Sequence, residues 1–167
     1  AGMRLGLAQK QELLRRIHEI KKAGKEVYLY AYSLDEGTLP FAQSTKVSLF
    51  PEGDVSFRGL AMQQLYFKRM LDILGLEADI IHIGDYKSAG DPFYLTAPSA
   101  EAANQQQNLG EDLFAEVTKE CAKGGRKDQA AYHSLIEEGL FLSQQALDQK
   151  LVDRLEYHNE FVKRLKK

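Results

Sequence analysis

A chain of 167 residues, 44% hydrophobic and 28% charged, is long enough for one globular domain with a core of its own. Its 22 basic and 24 acidic residues are interspersed and leave a formal charge of -2, so nothing resembles a nucleic-acid-binding stripe and nucleic acid is not an expected partner. The single cysteine, Cys121, rules out an internal disulfide and a multi-cysteine zinc site, and no apolar run approaches the roughly 20 residues of a membrane span.

In chain order, the opening AGMRLGLAQK shows no signal-peptide pattern and reads as the start of a piece of a longer polypeptide. Residues 8–23 carry Leu13, Leu14, Ile17 and Ile20 at helical spacing, with Arg15, Arg16, Glu19 and Lys21 opposite and Gly24 as a stop. Residues 27–33, VYLYAYS, alternate as a strand covered on both faces. Residues 35–45 predict a turn and a short helix, with Asp35 suited to capping and Pro40 limiting regularity. KVSLF then predicts a second strand, ending in a turn at PEGD.

Leu60, Leu65, Met70, Leu71 and Leu74 predict a helix from Gly59 to Gly75, and ADIIHI, residues 78–83, predicts a strand. A long polar-rich helix follows over residues 99–123, closed by Gly124 and Gly125, with mostly helical segments beyond. Alternating helices and strands define an α/β layered fold, expected here as a single domain over residues 1–167.

The loop between these last two elements is the most unusual segment, and on residue types alone its Lys87 reads first as an ordinary solvated lysine. Gly84, Gly90 and Pro92 restrict its shape around Lys87. A lysine becomes a general base only where burial disfavours its ammonium, and lowering its pKa from about 10.4 to near 7 requires roughly 4 to 5 kcal/mol. A base at Lys87 would therefore sit partly buried in a closed pocket, with Tyr86 and Phe93 as apolar walls and Ser88 holding the amine. Asp91, ahead of Pro92, reads as a turn-shaping residue, and a carboxylate of Asp79, Asp85 or Asp91 close to the amine would oppose the role of base. His18, His82, His133 and His158 show no metal-ligand spacing, and no cofactor is expected.

The residues Gly84, Tyr86, Lys87, Ser88, Ala89, Asp91, Pro92 and Phe93 fill eight of the ten positions of G-x-Y-K-S-A-x-[DE]-P-F. That motif resembles the lysine loop of signal peptide peptidase A, or protease IV, of the long type built from two related halves within the ClpP and crotonase-like superfamily. KKAGKEVYLYAYS resembles the family's helix-to-strand step, FPEGDVSFRGL its strand-turn-strand, and Gly139, Ala146, Leu151, Val152 and Asp153 its C-terminal ending.

The resemblance implies a ClpP/crotonase-like layered fold and a Ser/Lys dyad in which Lys87 is the general base, supported by Tyr86 and Ser88 in a loop shaped by Gly84, Asp91 and Pro92. It makes this chain an incomplete N-terminal half of a peptidase that degrades released signal peptides or other apolar peptides. It further implies a homo-oligomer associated with the bacterial membrane on its extracytoplasmic side.

The departure lies after VYLYAYS, where the nucleophile-bearing half has a Ser-Gly-Gly turn and this chain has Leu34, Asp35, Glu36 and Gly37. Negative charge there opposes oxyanion stabilisation, so the turn reads as structural. Ser33 lacks the glycines of a nucleophile turn. The nucleophile is expected outside this chain, on a C-terminal half or a neighbouring subunit. A non-catalytic scaffold of the same fold is the main alternative, and an enzyme acting on acyl thioesters ranks below it.

Overall fold

The computed structural model describes residues 5–81, 83–84 and 86–166. They form two compact units, one made of Ala1–Gly59 with Ala115–Lys167 and the other of Leu60–Phe114.

The first unit is built on a mixed sheet. Helix α1 (Leu7–Lys22) buries Leu14 and Ile17 and leaves its arginines and glutamates as exposed ion pairs one turn apart, which solvent screens. Strand β1 (Tyr28–Leu34) sets Leu29 against Leu14, Ile17 and Phe41 on one face. On its other face the Tyr30 ring meets Phe161 at 5.2 Å and His158 at 5.1 Å. Each face of β1 thus meets a neighbour, but the strand is only half-buried and Tyr32 and Ser33 near its end are exposed, so the expected cover on both faces is partial.

The short helix α2 (Leu39–Ser44) is wholly buried, and Pro40 stands in its first turn, where the missing N–H breaks no helical bond. Strand β2 (Lys46–Ser56) runs parallel to β1. The PEGD segment is therefore part of a strand and not the expected turn. Ala31 pairs with Leu49 and Ser33 with Asp54, so β2 bows outward between two paired stretches. Gly53 allows the bow, because a Cβ there would collide with the Tyr32 carbonyl oxygen and lie 2.9 Å from that of Phe50.

Two very short strands, β3 (Leu140–Leu142) antiparallel and β4 (Arg154–Leu155) parallel, pair with β2. Paired across β2 and β3, Val55 and Phe141 have no exposed surface.

The remaining helices are α6 (Gln129–Glu138), α7 (Ser143–Asp148) and α8 (His158–Leu165). Asp128 caps α6 by accepting the Ala131 N–H at 2.7 Å. A buried polar relay ties these parts together, with the Tyr132 hydroxyl donating to Gln43 Oε1 at 2.7 Å and Gln43 Nε2 donating to the Leu151 carbonyl at 2.9 Å. The ending Leu151, Val152 and Asp153 is structural. Leu151 and Val152 are buried, and Asp153 accepts from the Val47 N–H at 2.7 Å and from Arg126 at 2.8 and 2.7 Å.

The second unit holds α3 (Lys68–Ile73), a single 3-10 turn at Ser88–Gly90, α4 (Asp91–Tyr94) and the first part of α5 (Ala100–Ala122). Two expectations fail here. Residues 60–67 are irregular, leaving six helical residues where a helix from Gly59 was expected, because the leucine spacing has no apolar surface to meet and Leu65 stays 75% exposed. The described residues of 78–83 form no strand, since no neighbouring strand in the unit satisfies their backbone, and His82 lies outside the described residues.

Candidate active site

Lys87 sits between a left-handed glycine, Gly84 with φ +95°, and the 3-10 turn that opens at Ser88. Its N–H donates to the Gly84 carbonyl at 3.2 Å. The side chain is exposed, and among the described residues it makes no hydrogen bond or ion pair. This departs from the partly buried lysine expected from the sequence, and the reason is local. Tyr86 is 58% and Phe93 44% exposed, and the Phe93 ring stacks on Phe67 at 5.9 Å instead of walling the amine. Ser88 is half-buried and makes no side-chain bond to Lys87. Asp85 lies outside the described residues.

The residues just after Lys87 are firmly held. Gly90 packs on Ile80 so closely that a Cβ would come within 2.6 Å of its side chain. Pro92 is buried, and its carbonyl accepts the Phe67 N–H at 2.6 Å. Asp91 is 3% exposed, and its carboxylate accepts the Tyr94 hydroxyl at 2.8 Å and the Ser99 hydroxyl at 2.9 Å. Two aromatic rings, a carboxylate and a backbone bond thus fix residues 90–94 while the lysine projects from their edge.

At the end of β1 the turn after Leu34 is closed by its own acids. Asp35 Oδ1 accepts the Thr38 N–H at 2.9 Å and the Thr38 hydroxyl at 2.8 Å, and the Asp35 N–H donates to Thr38 Oγ1 at 2.8 Å. Glu36 reaches across to accept the Arg58 N–H. Lys10 Nζ lies against Gly37, in the space a side chain would fill. Below the turn a cleft of about 60 Å³, lined by Leu14, Pro40 and Phe41 among others, is too small for a peptide. The Asp35 and Thr38 amides are therefore engaged, and the carboxylates of Asp35 and Glu36 belong to the turn where an oxyanion would need donors. Ser33 is exposed at the strand end, opposite Asp54 in register, and among the described residues neither a histidine nor a lysine is hydrogen-bonded to it.

His18 and Cys121 are held within the packing. His18 contacts the buried Ser44 hydroxyl at 3.3 Å, and burial followed by the charge of Lys21 lowers its pKa. Cys121 has no exposed surface, and burial, reinforced by the charge of Glu120, pushes its thiol up to about 12. Among the described residues no group of three or more His, Cys, Asp or Glu could hold a metal, and no helix is long and apolar enough to cross a membrane. Sequence reasoning did not find Ser99 and Tyr94 as partners of Asp91. Tyr94 carried a signal in its i+3 spacing from Asp91, whereas Ser99, beyond the end of α4, carried none.

Residues 19–167 match Peptidase family S49, and the chain belongs to that family. It is 42% identical over 97 residues to Protease 4 of Haemophilus influenzae, covering 57% of this chain and 16% of that protein. It is 30% identical over 152 residues to Protease 4 of Salmonella typhi, covering 84% of this chain and 24% of that protein. It is also 24% identical over 164 residues to the chloroplastic serine protease SPPA of Arabidopsis thaliana, covering 96% and 24% respectively. The chain spans at most about a quarter of the length of these relatives. The solved structure of a peptidase from Plasmodium falciparum superposes with a TM-score of 0.49 at 13% identity, covering 91% of this chain and 67% of that one.

Proposed function

We propose that this chain is the lysine-bearing N-terminal half of a two-half serine peptidase, with Lys87 as the general base for a serine carried by the C-terminal half or by a neighbouring subunit. The observation that carries the reading is the Lys87 loop, in which an amine with no bonding partner among the described residues projects from the anchored segment 90–94. The closed turn at Asp35 and Glu36 supports placing the nucleophile elsewhere.

In the reaction, the neutral amine takes the serine hydroxyl proton as the oxygen attacks the peptide carbonyl carbon. The resulting ammonium returns that proton to the leaving nitrogen as the C–N bond breaks. Water, deprotonated in the same way, then releases the acyl group from serine. Covering of the loop by the partner removes water from the amine and supplies the burial that this chain alone does not. The many exposed apolar side chains of the second unit, Leu65, Ile73, Ile81 and Ile83 among them, suit such covering.

Extended apolar peptides, released signal peptides among them, are the substrates, processed by a homo-oligomer associated with the bacterial membrane on its extracytoplasmic side. A scaffold role is the competing reading, favoured by the closed turn. In the full-length protein, Lys87→Ala should lower kcat for a fluorogenic peptide by about 10³-fold with the assembly unchanged. Cleavage by that variant at the original rate would leave only the scaffold.

A further inference from the structure

The carboxylate of Asp91 is among the most buried charged groups of the chain, yet the dyad gives it no part. It stands four residues after Lys87, at the start of α4, and its two oxygens are divided between two elements. Oδ1 takes the Tyr94 hydroxyl at 2.8 Å within α4, and Oδ2 takes the Ser99 hydroxyl at 2.9 Å at the head of α5. Ser99 Oγ in turn accepts the Ala102 N–H at 3.2 Å, so a single hydroxyl joins Asp91 to the first turn of a 23-residue helix. A buried carboxylate is tolerated only where such donors meet it.

The clamp fixes backbone as well as side chains. The Asp91 N–H closes the 3-10 turn onto the Ser88 carbonyl, and the Asp91 carbonyl accepts the Leu95 N–H at 2.8 Å. Lys87 is the residue that caps this 3-10 turn. Its Cα position and the direction in which its side chain leaves the loop therefore follow from where Asp91 is held.

We propose that Ser99 and Tyr94, acting through Asp91, are positioning residues for Lys87. The proposal rests on the reading of Lys87 as the base. A misplacement of about 1 Å in a reacting group costs up to about 10²-fold in rate, so the clamp acts on kcat and leaves substrate binding alone.

The test uses the full-length protein and a fluorogenic peptide. Ser99→Ala and Tyr94→Phe should each lower kcat about ten-fold and Asp91→Asn about 10²-fold, with KM within two-fold of the original. Ser99→Thr, which keeps the hydroxyl, should restore the rate. If folded Ser99→Ala and Tyr94→Phe protein turns over at the original kcat while Lys87→Ala is inactive, the clamp is merely structural and the base stands. If Lys87→Ala is itself active, the reading of the base falls first. Should Asp91→Asn fail to fold, the Ser99 pair alone decides, since it changes a single hydroxyl at the surface of the network.

Discussion

At the scale of single residues, burial and close approach decide what can change. Gly53 lies against the Tyr32 and Phe50 carbonyls, so Gly53→Ala should cost about 2 to 4 kcal/mol, read as a lower urea midpoint with an unchanged m-value. Phe141→Ala, which empties a fully buried site opposite Val55, should cost about 3 to 5 kcal/mol in the same measurement. Cys121 is buried with its thiol pushed up to about 12, so iodoacetamide at pH 8 should leave it unmodified in the native protein and label it on unfolding. Rapid native labelling, read by mass spectrometry, would contradict the packing of α5. Of these residues, only Cys121 stood out in the sequence. Gly53 looked like one glycine of a turn, because the carbonyl it must avoid lies on another strand.

At the scale of elements, Asp153 shows how a C-terminal ending supports a distant strand. Burial pushes its carboxyl up, but the Arg126 hydrogen bonds, the Val47 N–H and the charges of Arg126 and Lys46 outweigh that and hold it below the usual aspartate value. A depressed carboxyl contributes stability that is fully present above the unfolded value of about 3.9 and is lost as the pH falls through the lower folded value. The stability gap between the protein and its Asp153→Asn variant should therefore hold from pH 7 to about 5 and narrow below about 4. A gap that widened in acid would reverse the sign and discard the pairing. Helices α1 and α5 and strand β1 were legible because local spacing alone defines them. Strands β3 and β4, of three and two residues, were not, since only their pairing with β2 makes them strands. The isoleucines within 78–83 misled for the converse reason: Ile80, Ile81 and Ile83, strand-forming residues without a strand beside them, stay irregular. The Lys87 loop was legible as an ordered string of residue types, but its grip on α5 through Ser99 was not.

At the scale of the whole molecule, the two units differ in how well they cover themselves. The first buries most of the core, including Leu39, Leu49, Phe57, Tyr132 and Leu151, whereas the second exposes Ile73, Ile81 and Ile83 at 86%, 91% and 89%. Isolated exposed leucines are ordinary, but this concentration is not. The chain produced alone should bind a hydrophobic dye and associate as its concentration rises in analytical ultracentrifugation, and Ile81→Ser with Ile83→Ser should reduce both. The open position of Lys87 also makes the residue a built-in reporter. An amine-reactive ester should label it readily in this chain alone and, on the proposed function, poorly in the complex with the nucleophile-bearing partner, so protection at this one position would be a footprint of assembly that can be followed in time without measuring cleavage at all.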